Sequence, residues 1–360
     1  MKHLYTNTKI ETELLGKVTF KRKPIFSKND YVSVSEFPEL AELNEGDVVL
    51  ITPNGNISVL YEIQSTHNAI MATELCSHRC IMCPQPPILQ EKDKTNFNLK
   101  LLSLFDKNTS NIGITGGEPT LIGDNLFVLI KYIKKKIPKS SICLLSNGVR
   151  FADKQYAQKL ALINHHDLQI DIPLFSDIDT EHNKIVGAKT FYKTIEGLYN
   201  LALFRQKVGL RIVVHKHTYK RLPQLSEFIY RNLPFVYHIA FMQMETTGLA
   251  EQNIDKLWID PYDYNKELET AVLNLAMRNM KVSIYNSQLC ILPESIRDYA
   301  KQSISDWKNI YLSECENCEM KKECAGFFAS AENWHSKHIK TISDRVVPSD
   351  SCRSRMQQNI

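Results

Sequence analysis

The chain has 360 residues, of which 43% are hydrophobic and 23% are charged, and this balance is typical of a globular protein with a large buried core. Its 44 basic and 40 acidic residues leave a net charge of only +4, which argues against a dedicated nucleic-acid binder. No apolar run approaches the roughly 18 residues of a membrane span, and residues 1–16 lack the apolar segment of a signal peptide. We therefore expect a cytoplasmic protein with no nucleic-acid and no membrane partner.

The cysteines are unevenly distributed. Of the nine, three lie within residues 76–83 and three within residues 315–324, while Cys143, Cys290 and Cys352 stand apart. Thiols stay reduced in the cytoplasm, so clustered cysteines there are better interpreted as metal ligands than as disulfides.

Residues 1–68 are predicted to form a small β-rich N-terminal extension. The segments 47–52 and 57–62 are apolar and rich in β-branched residues, and Pro53-Asn54-Gly55 lies between them. An Asn-Gly pair between two such runs is a strong hairpin signal.

Residues 69–286 alternate between β-branched runs and amphipathic helical segments. After Asp124, a candidate N-cap, Leu126, Leu129, Ile130 and Ile133 recur at helical spacing. This alternation predicts an α/β fold with parallel strands, a partial (β/α)6 TIM-type barrel whose site lies at the carboxyl ends of the strands. The predicted strands are 70–75, 112–115, 142–145, 168–172, 210–214, 237–241 and, as a seventh, 282–285.

The alternation stops near residue 287, and residues 287–360 are loop-like and cysteine-rich. We expect this segment to be a separate small module. The predicted domains are thus the extension 1–68, the barrel 69–286 and the C-terminal module 287–360.

The first cysteine cluster follows the first barrel strand and has the spacing Cys76-x3-Cys80-x2-Cys83. Thiolates are ligands of zinc and of iron–sulfur clusters. A four-iron cluster held by three cysteines keeps one iron open, as catalytic metal sites do. A zinc site with His78 as the fourth ligand is the alternative that this spacing leaves open.

A glycine-rich turn, Gly116-Gly117-Glu118-Pro119, ends the second predicted strand. Glycines allow the backbone to approach a neighbouring group closely, and Glu118 places a carboxylate at the same end of the barrel. Alone, such a turn is a weak signal. Together with the cysteine loop it favours the iron–sulfur interpretation.

The cysteine spacing and the Gly-Gly-Glu-Pro turn resemble the motifs of the radical SAM superfamily. This resemblance implies that the open iron of a 4Fe–4S cluster is chelated by S-adenosylmethionine (SAM). It also implies reductive cleavage of SAM to a 5′-deoxyadenosyl radical that abstracts hydrogen from a C–H bond.

The resemblance also implies roles for individual residues. Glu118 and the Gly116–Gly117 backbone would hold the methionine amino group, and Asp171 stands where a residue often helps to hold SAM. Met82 precedes the last cysteine, where the family usually has an aromatic residue. The predicted cofactor-binding residues are Met82, Gly116, Gly117, Glu118, Pro119, Ser146, Asn147 and Asp171, the pair Ser146-Asn147 resembling the family's segment near the ribose.

The second cluster has the spacing Cys315-x2-Cys318-x5-Cys324. Zinc and iron–sulfur are equally reasonable occupants on spacing alone. With a radical SAM core, the segment resembles a twitch or SPASM-type module, which implies one auxiliary iron–sulfur cluster. Cys290 is the preferred fourth ligand and Cys352 the second choice, whereas Cys143 lies in an apolar strand and is interpreted as core.

Three segments narrow the resemblance from the radical SAM superfamily to one group within it. They resemble the His-Xaa-Ser system radical SAM maturases of the HxsC type, and they are residues 288–293, 303–309 and 315–328. This resemblance implies a short precursor peptide as substrate and a second radical SAM maturase as partner. An electron donor such as flavodoxin or ferredoxin is also expected.

Other polar residues offer weaker hypotheses. His215 and His217 follow the fifth predicted strand and are candidates for a substrate or acid–base role, whereas His165 and His166 are expected to be solvated. Residues 242–245 end the sixth strand and either line the cavity or fill packing gaps. The sequence identifies no catalytic side chain.

Three functions therefore compete. The first is a peptide-modifying radical SAM enzyme, or peptide maturase. The second keeps the same core but acts on a small molecule in cofactor biosynthesis. The third, from another class, is a zinc-stabilised binding protein.

Overall fold

The computed structural model describes residues 2–3, 14–18, 43–53, 56–302, 310–332 and 334–343. The predicted second-choice ligand Cys352, the hairpin pair Asn54-Gly55 and residues 303–309 lie outside this part of the chain. The strands are β1 (Lys2–His3), β2 (Leu14–Lys17), β3 (Val48–Ile51), β4 (Asn56–Tyr61), β5 (Asn68–Met71), β6 (Asn111–Thr115), β7 (Ser141–Leu145), β8 (Leu168–Pro173), β9 (Lys207–Val214), β10 (His238–Gln243), β11 (Val282–Tyr285) and β12 (Ala300–Lys301).

The α-helices lie mostly between the later strands. They are α1 (Thr95–Leu104), α2 (Asn125–Lys136), α3 (Lys154–Leu162), α4 (Asp179–Val186), α5 (Phe191–Leu203), α6 (Leu222–Asn232), α7 (Leu249–Gln252), α8 (Ile254–Leu257) and α9 (Asn265–Ala276). Short 3₁₀ helices are Pro119–Ile122, Val149–Ala152, Tyr219–Arg221, Pro261–Tyr264, Glu294–Tyr299, Ser313–Cys315 and Ala329–Glu332.

The N-terminal strands form an antiparallel sheet in the order β1-β4-β3-β2. Strands β3 and β4 pair from Val48↔Tyr61 to Ile51↔Ile57, which confirms the predicted hairpin. The Tyr61 hydroxyl shares a 2.9 Å hydrogen bond with the hydroxyl of Thr109. This contact attaches the small sheet to the connection between α1 and β6.

Packing divides the chain into two compact units. The first takes its described residues from 1–174, 178–211 and 235–237, and the second from 175–177, 212–234 and 238–360. This division is by spatial contact, and the sequence-based domains 1–68, 69–286 and 287–360 stay a prediction.

The first unit contains a parallel sheet in which β5, β6, β7, β8 and the first part of β9 are neighbours in chain order. Its apolar side chains alternate, and Ile70, Ile114, Leu144 and Ile170 are all buried. Because such residues point to the helix-covered face, they form the core of the unit.

The second unit contains the end of β9 together with β10, β11 and β12, again parallel. Helices α6 and α9 pack beside these strands, and Asn274 donates a 2.7 Å hydrogen bond to the Ser226 hydroxyl between the two helices. The predicted seventh strand is confirmed as β11.

Helix α2 has the expected amphipathic pattern, since Leu126, Leu129, Ile130 and Ile133 are all buried. Asp124 stands at the predicted N-cap position of this helix, but its side chain does not make the capping hydrogen bond. Asp124 has helical backbone angles, and its carboxylate pairs with Lys159 at 3.0 Å.

The architecture is that of an α/β protein with a parallel, partial-barrel sheet, a small antiparallel N-terminal sheet and a cysteine-rich C-terminal region. The predicted fold class is thereby confirmed. Among the described residues, no helix combines the length and hydropathy needed to cross a bilayer.

Candidate functional site

The glycine-rich turn lies directly against the cysteine loop in the first unit. The N–H of Gly117 donates to the carbonyl of Thr73, and the N–H of Glu118 donates to the carbonyl of Leu75, each at 2.7 Å. A Cβ at Gly116 would stand 2.2 Å from the Thr73 oxygen, and one at Gly117 would stand 2.3 Å from the Leu75 oxygen. The two glycines are therefore required for the backbones to meet at this distance.

Glu118 joins this turn to the turn that follows β7. Its Oε1 accepts hydrogen bonds from the N–H and the hydroxyl of Thr120, at 3.0 and 2.6 Å, and from the Ser146 hydroxyl at 2.8 Å. Its Oε2 accepts from the N–H of Asn147 at 2.6 Å. Burial raises the pKa of Glu118, while these hydrogen bonds act in the opposite direction.

Asn147 continues the connection into the cysteine loop. Its side-chain amide donates to the Ser77 hydroxyl at 3.1 Å, and Ser77 is the residue after Cys76. Its side-chain oxygen accepts from the N–H of Val149 at 3.0 Å. Three segments far apart in sequence, around residues 76, 118 and 147, thus form one hydrogen-bonded site at the carboxyl ends of β5, β6 and β7.

The thiols of Cys76, Cys80 and Cys83 are free and partly buried. Burial raises the pKa of all three, and to about 12 for Cys80, where the neighbouring Cys83 and Cys76 act in the same direction. Three neighbouring thiolates that are partly buried repel one another and lack full hydration. The anionic form of these cysteines is therefore favoured only when cations bind the loop. The donor set fits an iron–sulfur cluster, which binds thiolates.

His78, the alternative zinc ligand, is used elsewhere. Its Nε2 shares a 3.0 Å hydrogen bond with the hydroxyl of Thr190, and the side chain is 3% exposed. Burial lowers the pKa of His78 to about 4. The geometry gives this imidazole a structural partner in place of a metal.

The end of helix α4 supports the back of the cysteine loop, a feature that the sequence did not reveal. The N–H groups of Arg79 and Ile81 each donate at 3.0 Å to the carbonyls of Val186 and Ile185. Gly187 has a φ of +67°, and a Cβ there would stand 2.8 Å from the Arg79 oxygen. The glycine that ends α4 is the detectable signal, but its partner loop is about a hundred residues away in sequence.

A second support missed by the sequence lies on the loop before α1. Oε2 of Glu91 accepts from the Thr73 hydroxyl at 2.5 Å and from the N–H of Glu74 at 2.9 Å. Lys94 lies 2.5 Å from the other oxygen of Glu91 and 2.7 Å from Glu74. These contacts fix the backbone immediately before Cys76.

The remaining predicted cofactor-binding residues, Met82, Pro119 and Asp171, differ in burial and in hydrogen bonding. Met82 and Pro119 are buried. Asp171 uses both carboxylate oxygens within the sheet, accepting from the Gln169 amide at 2.7 Å and from the Cys143 thiol at 3.2 Å. Burial and the Asp171 charge raise the pKa of Cys143. A role for Asp171 toward SAM stays a prediction.

The second cysteine set lines one pocket of the second unit, with about 300 Å³ of empty space. Burial raises the pKa of Cys290, and the nearby Cys324, Cys315 and Cys318 act in the same direction. The N–H of Leu289 donates toward the Cys324 sulfur at 3.5 Å. The structure thus places Cys290 with the C-terminal cysteines. The lining residues are Gln288, Leu289, Cys290, Tyr311, Cys315, Cys318, Met320, Lys321, Cys324, Lys340 and Ile342.

Within the described part of the chain, no group of three or more His, Cys, Asp or Glu side chains is arranged to hold a single metal ion. A four-iron cluster makes a different demand, because each cysteine binds a separate iron. The thiols of a cluster site therefore surround a volume and do not converge on one point.

The other candidate histidines differ in exposure. His215 is buried, whereas His217 is exposed. His165 is half-buried and accepts a hydrogen bond from the N–H of Asp167 at 3.2 Å, so only His166 is exposed as expected. Of residues 242–245, Gln243 and Met244 are buried.

Residues 70–229 match the family model of the Radical SAM superfamily. This match covers all three segments of the site.

Sequence relatives share parts of the chain only. A GTP 3′,8-cyclase of Pasteurella multocida (strain Pm70) is 32% identical over 133 residues, which are 35% of this chain and 38% of the relative. A GTP 3′,8-cyclase of Desulforamulus reducens is 25% identical over 187 residues, 50% of this chain and 55% of the relative. The chain thus spans 38% of the length of the first relative and 55% of the length of the second.

Solved structures of similar fold include two proteins with bound S-adenosylmethionine (AdoMet). Streptococcus suis SuiB bound to S-adenosylmethionine has a TM-score of 0.51 at 16% identity, covering 63% of this chain and 51% of SuiB. The enzyme anSMEcpe with bound AdoMet and the Kp18Cys peptide has a TM-score of 0.53 at 15% identity, covering 76% of this chain and 92% of anSMEcpe. At these identities the likeness shows the fold.

Proposed function

We propose that the chain is a radical SAM enzyme that holds a 4Fe–4S cluster through Cys76, Cys80 and Cys83. The observation that carries this proposal is the hydrogen-bonded assembly of cysteine loop, glycine turn and Ser146–Asn147 turn around Glu118. It lies within the residues that match the Radical SAM superfamily.

When bound, the cluster and SAM supply one-electron cleavage of a carbon–sulfur bond and a radical able to take hydrogen from carbon. The chain's own contribution is to position them. Gly117 and Glu118 use their N–H groups in pairing with the cysteine loop, and the carbonyl of Glu118 accepts from the N–H of Leu121. The carbonyl oxygens of Gly116 and Gly117 are then the acceptors that this turn offers to a methionine amino group. Both oxygens of Glu118 already accept protein hydrogen bonds, so Glu118 chiefly shapes the turn.

We also propose that Cys290, Cys315, Cys318 and Cys324 hold an auxiliary iron–sulfur cluster of the twitch type. The support is their shared pocket and the rise that Cys324, Cys315 and Cys318 cause in the pKa of Cys290. A cluster there would keep the thiols of Cys290, Cys315 and Cys324 anionic, whereas burial alone raises their pKa.

For the substrate, we propose a short precursor peptide of the His-Xaa-Ser type. The fold supports this choice, because SuiB bound to the precursor peptide SuiA matches at a TM-score of 0.51 and peptide-bound anSMEcpe matches at 0.53. The resemblance to the HxsC type points the same way. A flavodoxin or ferredoxin and a second radical SAM maturase complete the proposed partners.

Co-expression tests the peptide proposal. The chain is produced together with a short His-Xaa-Ser-rich precursor peptide, and the purified peptide is analysed by tandem mass spectrometry. We expect a mass change confined to specific residues, absent with the Cys80→Ala variant. An unchanged peptide in the presence of an enzyme that cleaves SAM would reject the peptide and keep the enzyme class.

A small-molecule substrate is the second candidate. The observation in its favour is that the curated relatives are named GTP 3′,8-cyclase, a reaction on a nucleotide. Incubation of the reconstituted enzyme with GTP and SAM separates the two candidates. GTP-dependent stimulation of SAM cleavage would favour the small molecule, and stimulation by the peptide alone would favour the maturase.

A further inference from the structure

The second unit contains a further pocket, with about 190 Å³ of empty space, at the carboxyl ends of β9 and β10. Part of this space is open to solvent, so the pocket suits one functional group of a larger molecule and not a whole drug-sized ligand. Most of its walls are apolar, and polar groups come from His215, Gln243, the indole of Trp258 and the hydroxyl of Tyr264. Of these, His215 and Gln243 carry buried atoms without a hydrogen-bond partner. The lining residues are Val214, His215, Gln243, Met244, Leu257, Trp258, Ile259, Pro261 and Tyr264.

His215 presents an unused donor. The side chain is 1% exposed, and its Nδ1 accepts a 3.2 Å hydrogen bond from the N–H of His217. The neutral ring therefore carries its proton on Nε2, and this buried Nε2 has no hydrogen-bond partner. Burial, with a smaller effect of His217, lowers the pKa of His215 to about 3, which keeps the ring neutral near pH 7.

Gln243 presents an unused acceptor. It is the last residue of β10, is 9% exposed, and its buried Oε1 also has no partner. Unpaired buried polar atoms are costly and uncommon in folded proteins. A donor and an acceptor without partners in the same pocket indicate a ligand that forms a hydrogen bond with each of them.

The surrounding backbone fixes the pocket in place. The N–H of Lys216 donates to the carbonyl of Leu257 at 2.9 Å, and the hydroxyl of Thr218 accepts from the N–H of His215 at 2.9 Å. The Trp258 ring packs edge-on against Trp334 with centroids 5.5 Å apart. These contacts order the walls of the pocket before a ligand enters, which lowers the ordering cost of binding.

We infer that this pocket binds an uncharged amide group, whose carbonyl accepts from Nε2–H of His215 and whose N–H donates to Oε1 of Gln243. A carboxylate offers only acceptors and an ammonium only donors, so each would leave one of the two protein atoms unpaired. The amide belongs to the substrate, either in a peptide backbone or in a side-chain carboxamide. That last assignment rests on the proposed function, whereas amide binding itself requires neither cluster nor SAM.

The test uses the full chain labelled with ¹⁵N-histidine and follows the Nε2 signal of His215 by NMR, assigned by its loss in His215→Gln. N-methylacetamide and acetamide serve as probes of the backbone and side-chain sources. Acetate and methylammonium serve as acceptor-only and donor-only controls. We expect saturable shifts with an amide, in the millimolar range of so small a ligand, and none with the two ions.

Two variants sharpen the result. Gln243→Leu should weaken amide binding about tenfold, the effect of one hydrogen bond, and His217→Ala should leave it unchanged because the backbone N–H of residue 217 remains. Gln243→Glu, which keeps the shape, should gain methylammonium binding. The inference is overturned if neither amide shifts the signal, or if acetate shifts it equally. Cleavage of SAM in the same preparation would show that the enzyme proposal survives such a failure.

Discussion

The N–H of Asn147 donates a 2.6 Å hydrogen bond to Oε2 of Glu118. This contact joins the turns that follow two adjacent parallel strands, β6 and β7. Because Glu118 is buried and accepts four hydrogen bonds, it determines the position of both turns relative to the cysteine loop. The conformation of the site depends on this carboxylate.

Replacing Glu118 tests that dependence. Glu118→Gln keeps the shape but turns one acceptor into an NH₂ group that faces protein donors, so we expect a loss of about 2–4 kcal/mol in the free energy of unfolding. Binding of SAM should weaken as well. Urea denaturation and equilibrium dialysis with labelled SAM measure the two effects. The matched control Thr120→Val, which removes a single hydroxyl donor to Glu118, should cost only about 1 kcal/mol.

Gly117 should tolerate no side chain. The Cβ of Gly117→Ala would meet the carbonyl oxygen of Leu75 at 2.3 Å, so the variant must break the pairing of the glycine turn with the cysteine loop. We expect a loss of about 2–4 kcal/mol in stability and a lower iron content after reconstitution. Gly16→Ala is the control, since no atom lies within 4 Å of its added carbon. Equal behaviour of the two variants would argue against close packing at Gly117.

Iron analysis tests the two cysteine sets separately. Two 4Fe–4S clusters give about eight irons in the reconstituted chain, so Cys80→Ala and Cys315→Ala should each retain about four. Cys143→Ala is the control, because that thiol donates to Asp171 within the sheet, and it should retain the full content. If the Cys315→Ala variant kept the full iron content, the proposal of an auxiliary cluster in the C-terminal cysteine pocket would be rejected.

The stability of the chain should fall as the pH is lowered from about 6.5 toward 4. Burial lowers the pKa of His182 to about 4, and His78 acts in the same direction, so between these values the unfolded chain binds a proton that the folded chain excludes. Stability therefore rises with pH in this window, by up to about 3 kcal/mol for His182. His182→Phe should reduce the slope measured by urea denaturation at several pH values, and the exposed-site control His67→Ala should not. An unchanged slope in His182→Phe would contradict the assignment.

Many strands and helices are determined by local sequence patterns and were therefore predictable. The β-branched runs at 112–115, 142–145 and 282–285 appear as β6, β7 and β11 within one residue of the expected bounds. The first barrel strand was predicted through residue 75 but ends at Met71, because residues 73–75 pair instead with the glycine turn. Asp124 was expected to cap α2 and does stand at its N-cap position, but its carboxylate pairs with Lys159 and makes no capping hydrogen bond.

The site was predictable only in part, because its supports are distant in sequence. The spacing of the motif residues identifies them in the sequence. Nothing near Glu118 in sequence identifies Asn147 as its hydrogen-bond donor. Likewise, nothing near His78 identifies its hydrogen-bond partner Thr190, which is 112 residues away. Such pairs become visible only when parallel strands bring their loops to one edge. The unpaired atoms of His215 and Gln243 likewise depend on burial, which the sequence does not specify.

Formation of 5′-deoxyadenosine tests the central claim most directly. The chain is reconstituted anaerobically with iron and sulfide, reduced with dithionite and incubated with SAM, and the product is measured by liquid chromatography with mass spectrometry. We expect a brown protein that forms 5′-deoxyadenosine and methionine, and a folded Cys80→Ala variant that forms neither. A colourless, zinc-containing protein that leaves SAM intact would contradict the account.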